Sequence, residues 1–188
     1  MLSTTDEFRH DSIPNGLQML MDLGQANAPE RAKIAGLAGS WAGQHSATDF
    51  ENGSAWTWFQ DNINGGWFTG HDGDGTPGTI NAQPQYADHP ILRGIPNPWN
   101  VSDEWYVENR NIEQVPGFKV LAKATISNSQ LTTAPRPAIW INENSNMMGG
   151  RSFYTIRGHN QKVFAEPAFR QLMLQGILWA VHRLPGGN

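Results

Sequence analysis

Four of the six histidines in this 188-residue chain occupy places where a ring would be presented rather than packed away. His10, His45, His71 and His159 each lie beside glycine or where a strand-like run gives way to a turn. The stretch "GRSFYTIRGH" (150–159) shows the pattern best. Phe153, Thr155 and Arg157 alternate with Tyr154 and Ile156 as on a strand, Gly158 frees the backbone to turn, and His159 follows. An imidazole at a strand end can shuttle protons near neutral pH or ligate a metal. Hydrogen-bonded turn capping is the plainer alternative for each, although capping does not favour His over Asn, Ser or Asp. His89, before a proline, and His182, late in the last helix, read as structural.

The carboxylates divide in the same way. "HDGDG" (71–75) sets Asp72 and Asp74 two apart around glycine, an arrangement that gathers oxygen ligands for a divalent ion such as Ca²⁺. The segment lacks the closing Glu of an EF-hand, and an Asp-Gly turn explains it equally. In "SDEWY" (102–106), Asp103 and Glu104 precede an aromatic strand and must face opposite sides, so only one can enter a given pocket. Asp49, shortly after His45, is a candidate orienter for a nearby imidazole. Ser46 stands in "GQHSA", which is not the G-x-S-x-G elbow of a serine hydrolase.

Among the elements that must hold these groups, apolar spacing predicts a helix from Ser12 to Gly24, with Pro14 in its first turn and Ile13, Leu17, Leu20 and Met21 as its stripe. A short helix is expected over 29–35, a Gly/Ala-rich strand over 36–45, and a helix near 54–64 ended by Gly65-Gly66. "TINAQP", "EWYVEN", "FKVLAKAT" and "PAIWINEN" are candidate strands, the last two with clear alternation. Pro167 opens a final helix whose Phe169, Leu172, Met173, Ile177 and Ala180 share a face. Leu174, Leu178 and Val181 are expected to bury the adjacent face, and Gly176 to allow close packing.

Composition sets the outer limits. The length suits a single domain over residues 1–188, and eight Trp and eight Phe supply core area that a 38% apolar content would not. A formal charge of −4 without any Lys/Arg run argues against a nucleic-acid partner. The absence of cysteine excludes disulfides, thiolate metal sites and a cysteine nucleophile. No apolar run reaches a membrane span and "MLSTTDEFRH" does not read as a signal peptide, so a cytoplasmic location is expected.

Several stretches together resemble the trehalose-utilization (ThuA-like) family of the class I glutamine amidotransferase-like superfamily. They are "STTDEFRHDSIPNG" (3–16), "GQHSATDF" (43–50), "WTWF" (56–59), "GGWFTGH" (65–71), "DHPILRGIP" (88–96), "DEWY" (103–106) and the long block 150–180. The resemblance implies an α/β fold, a flavodoxin-like parallel sheet flanked by helices, whose strand ends gather His10, His45, His71 and His159. The amidotransferase cysteine position is matched at or next to His45, so amidotransferase chemistry is not implied. Between the first helix and the strand ending at His45 the chain is short by about one βαβ unit, ~30 residues or more. A homodimer or higher homo-oligomer that completes the sheet is the resulting expectation.

The family implies a small-molecule substrate of carbohydrate type in a crevice lined by His and aromatic rings. The expected activity is that of a hydrolase or isomerase on a keto-sugar or glycoside. In this reading His45, His159 and His10 carry acid–base chemistry with Glu104 or Asp49, while His71, Trp56, Trp67, Tyr106 and Arg157 bind substrate. Opening of a lactone or ester, with a divalent metal (Ca²⁺ or Zn²⁺), is an alternative. A non-catalytic sugar-binding or regulatory protein, or an interaction protein, are the others.

Overall fold

The computed structural model describes residues 17–19, 40–49, 59–143 and 150–184. Seven strands are found there: β1 (Leu17–Met19), β2 (Ser40–Gln44), β3 (Phe68–Ala82), β4 (Trp99–Glu108), β5 (Phe118–Ile126), β6 (Arg136–Asn142) and β7 (Ser152–Thr155). They form one sheet in the order β1-β2-β7-β6-β5-β3-β4. Two α-helices are described, the short α1 (Gln161–Ala165) and α2 (Pro167–Ala180).

The expected parallel sheet flanked by helices is not what forms. Only β1–β2 and β2–β7 pair in parallel, while β7–β6, β6–β5, β5–β3 and β3–β4 are antiparallel. The physical reason lies in the connections. Between Ile80 and Asn142 the chain returns through turns and short 3₁₀ segments, which suit antiparallel neighbours, whereas parallel pairs need a long crossover. Residues 17–19, expected as helix, are instead a strand in register with Ser40–Ala42. The rest of that predicted helix and the one over 29–35 lie outside the described residues. Within the predicted 54–64 helix, Gln60–Asn64 is a π-helical turn ended by Gly65 at φ +93°.

Period-two alternation explains how the core is layered. On β7, Phe153 points to one face of the sheet and Tyr154 to the other. Phe153 meets α2 at Gly176, where a Cβ would lie 2.3 Å from the ring. Phe169, Leu172, Trp179 and Ala180 of α2 are fully buried, but Leu174 is exposed, so the helix packs through one face rather than two. On the other face Tyr154 stacks near Trp140 (centroids 4.3 Å) and Trp41 (6.1 Å). The π-helical turn covers this side, with Trp140 Nε1 donating to the Asn64 carbonyl at 2.8 Å.

One feature of β3 and β4 places the site. β3 pairs with β5 only through Gly78–Ala82 but with β4 from Phe68 to Ile80. N-terminal to Gly78 the β3–β4 ribbon runs on without β5 beside it, and its register shifts between Asp72 and Thr76. Such a bulge bends and twists a ribbon. Arg136 of β6 holds the bend through a buried ion pair with Asp72 and a 3.1 Å bond to the Trp105 carbonyl. The ribbon bends so that its Glu104 reaches His45 and His159, the residues that follow β2 and the turn after β7.

Candidate active site

The ends of β2 and β7 and the bent ribbon meet at one carboxylate, that of Glu104. His45 follows the last residue of β2 and adopts φ +43°, a left-handed backbone that is uncommon outside glycine. The Tyr154 hydroxyl donates to its carbonyl and fixes that geometry. His159 follows Gly158, whose φ of +125° and close approach to Gln44 (an added Cβ would sit 1.9 Å from Oε1) leave no room for a side chain. His71 lies on β3 opposite Tyr106.

Three imidazole nitrogens converge on Glu104. His45 Nε2 and His159 Nδ1 lie 3.1 and 3.0 Å from Oε2, and His71 Nδ1 lies 2.9 Å from Oε1. The ring centroids of His45 and His159 are 5.1 Å apart, and the Tyr106 ring packs tilted against His45 at 4.2 Å and Phe68 at 4.4 Å. The cluster is graded in depth. The His45 side chain is 6% exposed and that of Glu104 12%, while His159 and His71 are 38% and 44% exposed. Burial, then the like charges of His159 and His71, hold His45 down to about 4, against an upward pull from Asp74. Burial first, then the negative charges of Asp49, Glu104 and Glu108, push the Tyr106 hydroxyl well above its ordinary value.

Behind the cluster, Asp103 ties two elements together. Its Oδ1 accepts from the Glu104 and His159 amides at 3.0 and 3.2 Å, and its Oδ2 from the Gly158 amide and Arg157 Nε at 3.1 and 3.2 Å. Burial pushes the Asp103 carboxyl up, opposed by Arg157 and these amides. Arg157 is itself wholly buried, 4.5 Å over the Trp99 ring and paired with both oxygens of Glu166 at 2.8 and 3.0 Å. It supports the His159 turn and has no surface open to a substrate.

Of the predicted residues, His45, His71, His159, Glu104 and Tyr106 come together. Asp49 is exposed after the 3₁₀ turn His45–Thr48, and its charge is felt at Tyr106, Glu108 and Tyr154. Trp67 is half-buried beside the ribbon end, its amide donating to Asn109. Asp72 and Asp74 do not form a ligand pair. Asp72 is buried against Arg136, Ser129 and the Gln130 amide, and these hold its carboxyl low despite the opposing effect of burial. Asp74 is exposed on the bulge and accepts from Asn160 at 2.8 Å. His10 and Trp56 lie outside the described residues.

Sequence reading passed over Glu108 and Thr48. The Thr48 hydroxyl donates to Glu108 Oε1 at 3.1 Å and lies 3.1 Å from the Tyr154 hydroxyl, directly behind the His45 carbonyl. Burial drives the Glu108 carboxyl up to about 8. The signal was the alternation Glu104, Tyr106, Glu108, which puts all three on one side of β4.

Comparison with known proteins adds the family. A sequence model of ThuA, described as trehalose utilisation, matches residues 31–180. A ThuA-like protein from Bacteroides uniformis ATCC 8492 is similar with a TM-score of 0.66 at 21% identity, over 87% of this chain and 67% of that one. A ThuA-like protein from Parabacteroides merdae ATCC 43184 gives 0.58 at 20% identity, over 81% of this chain and 63% of that one. This chain thus spans about two thirds of the length of these structures, and at such identities the likeness is one of fold. No curated protein matches.

Proposed function

This chain belongs to the ThuA trehalose utilisation family, and from that membership we propose that it is a hydrolase or isomerase of a carbohydrate-type small molecule, acting at the Glu104 cluster. One observation carries the reading. Three imidazoles from three separate elements meet a single carboxylate, and two of them, His71 and His159, are open to solvent. Imidazoles side by side, each able to give or take a proton near neutral pH, suit the movement of a proton from one substrate atom to another. The left-handed backbone at His45 supports it, because such conformations persist where the surroundings over-determine them and cluster at functional sites.

The chemistry favours a keto-sugar over a plain glycoside. Most glycosidases use two facing carboxyl groups. Here one carboxylate is shared among imidazoles, and Glu108 sits behind His45 bound to Thr48. A hydrogen next to a ketone is acidic enough for a positioned imidazole to remove. In the proposed step His159 takes that hydrogen while His71 protonates the departing glycosidic oxygen, so that the C–O bond breaks as the C=C bond forms. Water adds across that C=C bond in hydrolysis. Isomerisation is a separate course in which His71 protonates the keto oxygen instead and the glycosidic C–O bond stays intact. The enediol so formed takes the proton back at the former carbonyl carbon as its neighbouring hydroxyl becomes the ketone. Glu104 orients both rings, and Tyr106 and Phe68 offer aromatic faces to the sugar.

The test is a panel of keto-sugars, glycosides and lactones assayed with the parent chain and with His71→Ala and His159→Ala. Each variant is expected to lose roughly 10²–10⁴-fold in kcat on the preferred keto-sugar. Turnover unchanged in both, or none with any member of the panel, ends the proposal.

A further inference from the structure

We infer that His45 Nε2, His159 Nδ1 and Glu104 Oε2 form a binding site for one divalent transition-metal ion of the zinc class. The inference deepens the function proposed above by adding a cofactor at the same cleft, and it rests on that reading only for what the ion would do.

The first ground is spacing. The three donor atoms lie within 4.8 Å of one another, with 3.1 Å between His45 Nε2 and Oε2 and 3.0 Å between His159 Nδ1 and Oε2. Ligands at metal bond lengths of about 2.0–2.1 Å around a tetrahedral centre are about 3.3 Å apart along each edge. The two measured edges are close to that value. The second ground is an unmet polar atom. Although His45 Nε2 is 3.1 Å from the carboxylate, it has no hydrogen-bond partner, and it is buried. A buried ring nitrogen left without a hydrogen bond costs free energy, and a cation at the shared focus removes that cost. The third ground is the donor chemistry. Two imidazoles and one carboxylate are the set used by catalytic zinc and, with open positions, by non-haem iron, whereas Ca²⁺ and Mg²⁺ take oxygen ligands.

His71 completes the arrangement from outside. Its Nδ1 holds Oε1, the carboxylate oxygen not used by the other two, at 2.9 Å. Fixing the second oxygen of a ligating carboxylate is the usual task of an outer-shell partner. The Asp103 bonds to the His159 and Glu104 amides fix the backbones of two of the three ligands relative to each other. Solvent reaches the cluster on the His159 and His71 side, which leaves a coordination position for water or a substrate oxygen. An ion there would polarise a keto or hydroxyl oxygen. With His159 engaged as its ligand, the substrate hydrogen would pass to a water held on the ion rather than to that ring, and His71 would remain the acid.

The untagged chain, stripped with chelator and dialysed, is titrated with Co²⁺ alone while its visible d–d absorption is recorded, and then with Zn²⁺ in competition. The expected result is one Co²⁺ per chain with the intense bands of a four- or five-coordinate site, displaced by one Zn²⁺. His159→Ala, a change at a half-exposed side chain, is expected to abolish the bands while leaving the thermal melt of the apoprotein unchanged. His71→Ala is expected to keep one ion and lose roughly 10–100-fold in affinity. A spectrum that stays that of hydrated Co²⁺, or a His159→Ala chain that binds as tightly as the parent, overturns the site. The two readings fail separately. Full turnover by the chelator-stripped chain with no Co²⁺ bands removes the metal and keeps the hydrolase, whereas tight binding without turnover does the reverse.

Discussion

Behind the cleft, the Asp103 carboxylate ties β4 to the turn that carries His159. Two oxygens receive four donors from β4 and from the Arg157–His159 turn, all at 3.0–3.2 Å, and the ion pair with Arg157 has no exposure on either side chain. Asp103→Asn keeps the shape but places an amide donor against donors and leaves the buried guanidinium with Glu166 alone. Breaking one partner of a buried pair costs about 3–5 kcal/mol; the bidentate Glu166 contact that survives sets the expectation at the lower end, about 3 kcal/mol by denaturant titration. Co²⁺ affinity should fall with it, since the His159 and Glu104 backbones lose their common anchor. Asp103→Asn with parent stability would show that this staple is ornamental. The sequence made half of this visible: adjacent Asp103 and Glu104 on a strand must part to opposite sides, and they do. That Arg157 would turn inward to Asp103 was not visible, because strand parity gives the side of a residue and not the partner waiting there.

At the level of elements, alternation identified β5 and β6, and three-four spacing identified α2. What it missed about α2 is which of two apolar faces wins. Leu174 is as apolar as Leu172 but stands out in solvent, because Gly176 brings the Phe153 ring onto the other side. Gly176→Ala tests that contact. The new methyl would lie 2.3–2.6 Å from three atoms of a fully buried ring, so the helix or β7 must move. Overpacking costs about 1–3 kcal/mol, here the upper part of that range, about 2–3, because all three contacts fall below 3.0 Å, and the better helix propensity of Ala returns about 1. A net loss of about 1–2 kcal/mol is expected, a Tm lower by roughly 2–8 °C in a domain of this size. Gly73→Ala on the exposed bulge, where an added Cβ meets nothing within 4 Å, serves as the control and should stay within about 0.5 kcal/mol of the parent. Equal melts for the two variants would refute the packing account of α2.

Across the whole molecule, the direction of the strands was the least legible property. Local patterns announce a strand but are indifferent to which neighbour it joins, and three of the four singled-out histidines, His45, His71 and His159, lie together on a sheet of a different kind. They meet because the β3–β4 ribbon bends at Asp72–Thr76, a bulge that reads in the sequence as an Asp-Gly turn. Global stability should nevertheless carry a signature of groups spread over the fold. His89, whose Nδ1 accepts from the Ile91 amide and whose ring packs 5.9 Å from Trp179, is held by burial at about 4, with Glu143 pulling up and Lys119 and Arg151 pushing down. Its unfolded value is 6.5. As pH falls from about 6.5 to 4 the unfolded chain takes up a proton that the fold refuses, so stability declines over that window, by up to about 3 kcal/mol. Glu108 works the other way. Its folded value of about 8 exceeds the ordinary 4.5, so between those limits the fold keeps a proton that the unfolded chain releases, and stability declines as pH rises. His89→Asn, whose side-chain oxygen still accepts from Ile91, should flatten the acid limb in part, since His45 contributes there too. Glu108→Gln, which still accepts from Thr48, should flatten the alkaline limb between about pH 4.5 and 8. Chemical melts at half-unit pH intervals read both slopes, and an unchanged alkaline slope in Glu108→Gln would mean that this carboxyl ionises in the fold as it does in water.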